Sequence, residues 1–237
     1  MDSSSWSTIL VINPNSSKSV TEGLRAALKP LEEPFGQQLK INYLYCTGHP
    51  DAPPSIDDAV TSTLSAAACF PYIPYDQHEG FLVCCFSDHP LTHMLRQVTD
   101  KPVVGIFEAA ISHALLVGKR FGIITTGVAW KVPLSDGVRS FMGGVSDRFV
   151  GVECTGLGVV ELKTGSARKI EDAVKAASVR IAERGADVIL LGCAGMAGME
   201  ATVMSGVAEA GLPPVKVVDG AKAGLILVSG LVKAAEL

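Results

Sequence analysis

The chain contains 237 residues, of which 48% are hydrophobic and 19% are charged, and its formal net charge is −4. This composition supports one large or two small domains with a sizeable core. Nucleic-acid binding is disfavoured because the chain has no long basic run. No apolar run reaches the length of a membrane span, so we expect neither nucleic-acid nor membrane partners.

The N-terminal composition and the cysteines indicate the cellular compartment. Residues 1–8 are polar and lack the basic-then-apolar order of a secretory signal. The six cysteines are scattered and form no CxxC pair and no cluster with histidine, so the pattern indicates no metal site. We therefore expect a cytoplasmic protein with reduced thiols.

Strand-like apolar runs alternate with helical segments through the first half of the chain. Pro30 and Pro34 are expected to end the first helix near residue 31, and Ser55 or Asp57 to cap the second. The predicted strands are 8–12, 39–46, 81–85 and 102–106. The predicted helices are 19–31, one that ends near residue 70, 92–98 and 108–117.

The second half repeats this alternation. Gly185 is expected to close a long helix in the left-handed conformation that glycine adopts easily. The predicted strands are 120–125, 149–153, 187–191 and 214–218. The predicted helices are 130–142, 166–184, 202–210 and 222–235. A repeated strand–helix order predicts an α/β fold with parallel sheets covered by helices.

Short segments of the two halves correspond, which indicates an internal duplication. Asn13 after the first strand matches Thr125 and Thr126, and Cys85 matches Cys193. We therefore predict two similar α/β lobes, each with a parallel sheet of about four strands and with a cleft between the strand ends. The first lobe is predicted to comprise residues 1–105 and 219–237, and the second residues 106–218.

Two cysteines lie where ligands bind in α/β proteins, at the carboxyl ends of apolar strands. Cys85 ends the run Phe-Leu-Val-Cys-Cys, and Cys193 follows Val-Ile-Leu-Leu-Gly. Because side chains alternate along a strand, only one of Cys84 and Cys85 should reach the ligand, and Cys85 adjoins the loop. A free cysteine is usually a packing residue. That interpretation applies to the other three cysteines: Cys46, Cys69 and Cys154.

A thiolate and a thiol on opposite faces of a carbon acid can invert a stereocentre. One removes the proton and the other returns a proton to the opposite face, without a metal, pyridoxal or nucleotide. The charge that develops on a neighbouring carbonyl needs hydrogen-bond donors. Suitable donors are Ser87, Thr125, Thr126 and the amides that follow each cysteine.

Four motifs, in order along nearly the whole chain, carry a resemblance to a known family. They are Ile-Asn-Pro-Asn-Ser-Ser near the start, Cys85-Phe-Ser-Asp, Gly118-Lys-Arg-Phe-Gly-Ile-Ile-Thr-Thr and Leu-Gly-Cys193-Ala-Gly-Met. Together they resemble the aspartate/glutamate/hydantoin racemase superfamily, and within it the hydantoin and allantoin racemases and their fungal relatives. The resemblance implies two α/β lobes related by a pseudo-twofold axis, a two-cysteine mechanism without a cofactor, and a homo-oligomer.

The resemblance also implies roles for individual residues. Cys85 and Cys193 fall on the paired catalytic cysteines, and Asn13 falls on the asparagine of the first loop. The remaining predicted substrate-binding residues are Ser55, Phe86, Ser87, Thr125, Thr126, Ala194 and Gly195. One departure is His89, which stands between Asp88 and Pro90 where relatives carry Asp-Pro. His89 and His93 could tune a thiolate, because histidine titrates near neutral pH, but they are interpreted as loop and helix-surface residues. Asp88 is interpreted as a residue that caps the following helix or holds the loop.

The leading hypothesis is a racemase for a small molecule, either a cyclic ureide such as hydantoin or allantoin or an amino-acid derivative. A maleate-isomerase-like or decarboxylase-like enzyme of the same superfamily remains open, although arylmalonate decarboxylase keeps only one of the two cysteines. A non-catalytic small-molecule binding protein on the same scaffold is a third possibility, because fold does not fix function.

Overall fold

The structure is a computed structural model that describes residues 6–158, 161–162 and 165–237. It divides into two compact units, the first comprising Met1–Ile106 with Ala221–Leu237 and the second Phe107–Gly220. The predicted domains, residues 1–105 with 219–237 and residues 106–218, stay a prediction.

Within the described residues, each unit contains one parallel sheet of four strands. The strands are β1 Ser7–Asn13, β2 Ile41–Thr47, β3 Gly80–Val83, β4 Val103–Gly105, β5 Phe121–Thr125, β6 Phe149–Cys154, β7 Val188–Leu191 and β8 Lys216–Asp219. The strand order is β2-β1-β3-β4 in the first sheet and β6-β5-β7-β8 in the second. All the strand pairs are parallel. The predicted α/β fold with two four-stranded parallel sheets is therefore confirmed.

Helices flank both sheets. Within the described residues they are α1 Lys18–Leu39, α2 Ala59–Cys69, α3 Pro90–Val98, α4 Ile106–Val117, α5 Lys131–Met142, α6 Ala167–Glu183, α7 Glu200–Glu209 and α8 Gly220–Ala234. No helix in this part of the chain combines the length and the apolar composition that a membrane crossing requires.

The two units have the same internal register at the ends of their central strands. Ile12 of β1 pairs with Val83 of β3, and Ile124 of β5 pairs with Leu191 of β7. The next residue donates its amide in the same way in each unit: Cys84 N–H to Ile12 O at 2.8 Å, and Gly192 N–H to Ile124 O at 2.7 Å. Each predicted catalytic cysteine therefore lies two residues beyond an equivalent strand of its own unit.

Helix α1 is longer than predicted, because Pro30 and Pro34 lie inside it and do not end it. Both prolines are on the exposed face, where water can hydrate the carbonyl groups that lose a hydrogen-bond partner. The opposite face buries Leu24 and Leu28, and this packing outweighs the local preference of proline. The helix ends only at Lys40, which adopts the left-handed conformation with φ of 52°.

The C-terminal helix α8 packs on the sheet of the first unit. A Cβ atom at Gly80 of β3 would lie only 2.6 Å from Val232 Cγ2, so glycine permits this close approach. The Tyr43 hydroxyl is 2.9 Å from Ser229 Oγ, and Lys233 Nζ donates to Ser7 Oγ at 2.8 Å. The chain thus returns to its first unit after completing the second.

Close packing of α6 on β5 gives a first prediction, for the variant Gly122→Ala. A Cβ atom at Gly122 would lie 2.3 Å from Ile181 Cγ1, so alanine should overpack the core and lower the free energy of unfolding by about 1–3 kcal/mol. Gly127→Ala is the matched control, because nothing lies within 4 Å of its Cβ position and its φ is −91°. Urea denaturation of both variants measures the difference, and equal midpoints would contradict the packing.

Candidate functional site

In the first unit, the loop after β3 presents one partly exposed cysteine. The strand ends at Val83, two residues earlier than predicted, so both cysteines of the doublet lie beyond it. Cys84 is 3% exposed, whereas Cys85 is only partly buried. This difference favours Cys85 as the residue that can meet a ligand.

The Cys85 loop is compact and polar. Cys85 Sγ lies 3.3 Å from Ser87 Oγ, and Ser87 N–H donates to Cys85 O at 3.0 Å. Phe86 and Ser87 are themselves buried. A hydroxyl in contact with the sulfur can donate to a thiolate, so Ser87 is placed to support the ionised form.

The predicted substrate-binding residue Asn13 is buried at the end of β1. Its side-chain NH2 group lies within hydrogen-bond distance of three acceptors in its own surroundings: Asn15 Oδ1 at 2.9 Å, Ser17 O at 3.0 Å and Thr21 Oγ1 at 3.1 Å. Its Oδ1 accepts from Asn15 N–H at 3.3 Å. Asn13 therefore shapes the loop that leads into α1, and direct contact with a substrate stays a prediction.

Ser55 lies in the loop after β2 and is partly buried, with its hydroxyl donating to Asp57 Oδ1 at 2.9 Å. Neither residue caps α2. The cap is Asp58, whose carboxylate accepts from Thr61 N–H at 2.7 Å, because the Asp-x-x-Thr spacing forms a reciprocal capping box. This loop adjoins the Asn13 loop through Gly48 N–H, which donates to Asn15 O at 2.9 Å.

His89 is a loop residue, as predicted, and stands directly before α3, but it is buried. The side chain is only 1% exposed, and its Nδ1 accepts from Leu91 N–H at 3.3 Å as the N-terminal cap of α3. Burial lowers the pKa of His89 to about 4. Asp88 does not cap the helix and instead pairs with the exposed His93 at 2.6 Å.

In the second unit, Cys193 begins the tight turn that follows β7. Its sulfur accepts from Gly195 N–H at 3.3 Å, because the 3-10 turn Ala194–Met196 folds the backbone back over the cysteine. A backbone N–H donor at this distance favours a thiolate over a thiol. Cys193 is partly buried, like Cys85 in the first unit.

Thr125 and Thr126 are buried at the end of β5, in the same unit as Cys193. The Thr125 hydroxyl donates to Gly192 O at 3.0 Å. This hydrogen bond holds the residue that precedes Cys193 in position. Thr126 O accepts from Gly156 N–H at 3.1 Å. The structure thus brings Thr125 to the Cys193 turn within one unit, as it brings Ser87 to Cys85 in the other.

The remaining cysteines have the environment of packing residues. Desolvation raises the pKa of Cys46 to about 12, and it also raises the pKa values of Cys69 and Cys154. Such thiols stay protonated at neutral pH and are poor bases. Within the described part of the chain, no group of three or more His, Cys, Asp or Glu side chains could hold a metal ion.

A cavity of about 310 Å³ lies in the first unit between the ends of β1 and β2 and the segment after α2. It is mainly apolar, and His49 stacks on Tyr72 at its edge with ring centroids 4.1 Å apart. None of the predicted site residues lines this cavity. Its lining residues are Leu10, Ile12, Cys46, Thr47, Gly48, His49, Pro50, Cys69, Tyr72, Ile73 and Pro74.

Comparison with known proteins assigns the family. A family model described as Asp/Glu/Hydantoin racemase matches residues 9–228, which include both predicted catalytic cysteines. The chain belongs to the Asp/Glu/hydantoin racemase family. It is accordingly an isomerase of the racemase class.

Individual relatives match over almost the whole chain. An uncharacterised protein of Schizosaccharomyces pombe is 36% identical over 231 residues, covering 95% of this chain and 92% of the relative. The hydantoin racemase of a Pseudomonas species is 32% identical over 220 residues, with coverage of 92% and 82%. The crystal structure of allantoin racemase from Pseudomonas fluorescens matches with a TM-score of 0.81 at 28% identity, covering 96% and 92%. The predicted resemblance is confirmed.

Ser65 is a buried polar residue next to the Cys85 loop that was not predicted from the sequence. This serine is fully buried on α2, donates to Pro14 O at 2.7 Å, and lies 3.5 Å from His89 Nε2. The available signal was the spacing of Ser62, Ser65 and Cys69, which puts three small residues on one helical face. That spacing identifies the buried face but does not reveal its partners.

Proposed function

We propose that this protein racemises a cyclic ureide of the hydantoin or allantoin type, with Cys85 and Cys193 as its acid–base pair. The observation that carries the proposal is the equivalent placement of the two cysteines. Each lies two residues beyond an equivalent parallel strand, is partly exposed, and has a hydrogen-bonding group in contact with its sulfur. The other cysteines for which burial raises the pKa lack this combination.

In the proposed reaction one thiolate removes the proton from the stereogenic carbon. The electron pair of the C–H bond moves into the adjacent carbonyl group and gives an enolate. The second cysteine, as a thiol, then delivers its proton to the opposite face of the same carbon and becomes a thiolate. Substrate of the other configuration is processed with the roles exchanged, so the mechanism requires Cys85 and Cys193 to reach opposite faces of one carbon.

Hydrogen bonds in the two loops support the ionised cysteines. Ser87 Oγ contacts the sulfur of Cys85, and Gly195 N–H contacts the sulfur of Cys193. The enolate oxygen needs donors of its own, for which we propose Thr126 and the backbone amides of the residues that follow each cysteine. Because the Thr125 hydroxyl already donates to Gly192 O, we expect it to hold the Cys193 turn in place.

The names of the relatives support the substrate class. Hydantoin racemase and allantoin racemase act on rings in which a stereogenic C–H adjoins a carbonyl group, as the proposed chemistry demands. The carbonyl acidifies the C–H bond, so a thiolate is a strong enough base once the enolate is stabilised. For these substrates the proposed mechanism uses no metal and no organic cofactor.

The experiment is to follow the optical signal of enantiopure allantoin and of enantiopure 5-substituted hydantoins. We expect the protein to bring the signal to zero faster than an enzyme-free blank, and dialysis against a chelator should not change the rate. Decay no faster than the blank for every ureide and amino-acid derivative would contradict the proposal. Maleate and a disubstituted malonate, assayed in parallel, test the isomerase and decarboxylase alternatives.

We also propose that the protein is a homo-oligomer, as the family resemblance implies. Sedimentation velocity at several concentrations tests this directly. A single species with the mass of one chain, 24.8 kDa, at all concentrations would contradict it.

A further inference from the structure

We infer that His89 is a positioning residue for Cys85, acting through Ser65. Neutral His89 connects two loops by hydrogen bonds: the loop that contains Cys85 and the loop that follows β1. The inference rests on the proposed function, since it assigns His89 a part in the same reaction. The three residues His89, Ser65 and Pro14 are called the His89 relay below.

The hydrogen bonds around the imidazole define its tautomer. Nδ1 accepts from Leu91 N–H at 3.3 Å, so this nitrogen carries no proton. In a neutral ring the proton therefore lies on Nε2, which points toward Ser65 Oγ at 3.5 Å, the long end of hydrogen-bond distances. In a protonated ring, Nδ1–H and Leu91 N–H would be two donors facing each other and could not form a hydrogen bond. The arrangement therefore requires the neutral form.

Ser65 completes the relay in the complementary direction. Its hydroxyl donates to Pro14 O at 2.7 Å, which leaves the lone pairs of Oγ free to accept from His89 Nε2. One turn further along α2, Cys69 Sγ also donates to Pro14 O at 3.1 Å. The Pro14 carbonyl is thus held by two donors of α2, and one of these donors is held by His89.

The relay joins two loops that lie at neighbouring strand ends. Pro14 follows Asn13 at the end of β1, and Cys85 follows the adjacent β3. His89 is the last residue of the Cys85 loop before α3, so its side chain fixes one end of that loop. Ser65 is fully buried and His89 is 1% exposed, so water cannot readily replace either partner.

His89, the residue between Asp88 and Pro90, makes one contact with each nitrogen of its ring. Histidine reaches past the helix end with Nε2 while Nδ1 still caps α3. Asparagine can supply the cap but is too short to reach Ser65 as well. His89→Asn therefore removes the contact with Ser65 and keeps the cap on Leu91 N–H. Ser65→Ala removes the contact with His89 by changing the other partner.

The test compares kinetic constants of His89→Asn, Ser65→Ala and the double variant. We expect each single variant to lower kcat on the order of 10-fold with KM within about twofold, because a slightly misplaced catalytic group slows the chemical step more than binding. The double variant should be no slower than Ser65→Ala, because Ser65→Ala already removes the contact that His89→Asn removes, together with the hydrogen bond to Pro14 O. Ser62→Ala, another buried serine of α2, is the matched control and should retain the kcat of the unchanged protein.

A second measurement does not depend on turnover. The alkylation rate of Cys85 by iodoacetamide, resolved by mass spectrometry of its peptide, should change in Ser65→Ala and His89→Asn but not in Ser62→Ala. If kcat and this rate are both unchanged in Ser65→Ala and His89→Asn, the inference is overturned. If the unchanged protein racemises none of the substrates, the proposed function fails, and the alkylation rates alone then decide whether His89 positions Cys85.

Discussion

Cys85→Ser and Cys193→Ser should each lower the rate of racemisation by about 10²–10⁴-fold, the range in which a positioned acid or base contributes. Serine is close to cysteine in size, so the fold should be retained, but its hydroxyl is far too weak an acid to supply the base. The rate is measured from the optical signal of an enantiopure ureide, and retained folding from far-ultraviolet circular dichroism.

Cys46→Ala is the matched control for these variants. Desolvation raises the pKa of the Cys46 thiol to about 12, so this residue supplies no thiolate at neutral pH. We expect the rate of racemisation to stay within about twofold of that of the unchanged protein, as for a residue outside the reacting groups. Full activity in either Cys85→Ser or Cys193→Ser would contradict the assignment of that residue.

The two single variants should also differ from each other in one respect. Each keeps one cysteine, so each should still remove the proton from one enantiomer. Because the opposite face lacks its acid, the enolate persists until the new thiol has exchanged with solvent and delivers a solvent hydrogen to the same face. In deuterated water, Cys85→Ser and Cys193→Ser should therefore label opposite enantiomers without inverting them. Labelling of the same enantiomer by both variants would argue against one base on each face.

The second large effect concerns stability in acid, for which His89 should be responsible. Burial lowers the pKa of this histidine from 6.5 to about 4 in the folded protein. Below pH 6.5 the unfolded chain therefore binds a proton that the folded chain does not, so stability falls as the pH falls. Between pH 7 and pH 4 we expect His89 to remove about 3 kcal/mol from the free energy of unfolding.

His89→Asn should remove this contribution and keep the helix cap. Urea denaturation of both proteins at pH 7 and at pH 5 isolates the effect, since all other titrating groups are shared. His93→Asn serves as control, because His93 lies exposed on the same helix. Equal losses of stability in His89→Asn and in the unchanged protein would show that His89 does not titrate in this way.

The sheets and both candidate cysteines could be predicted from local sequence, because each strand is marked by an uninterrupted apolar run. The runs that end in Cys85 and Cys193 are apolar up to a turn, as buried parallel strands are. The repeat of this pattern also gave the equivalence of the two cysteines, and the strand registers place them equivalently in their own units. Their roles as acid and base stay a proposal.

Features that depend on partners distant in sequence could not be predicted. Helix α1 continues through Pro30 and Pro34 because the burial of Leu24 and Leu28 outweighs the cost of proline, and local propensity does not contain that term. His89 is buried because of contacts that include Ser65, which lies 24 residues earlier in the chain. Nothing in the local pattern of the Cys85 loop reveals this partner.

The central claim is that one cysteine deprotonates the substrate while a second cysteine protonates the opposite face. The measurement that tests it most directly is racemisation of an enantiopure ureide in deuterated water, sampled at low conversion and corrected for an enzyme-free blank. A two-base mechanism predicts that the inverted product carries solvent deuterium and that the recovered substrate still carries protium. Deuterium in the recovered substrate before inversion, at a rate above the blank, would contradict it.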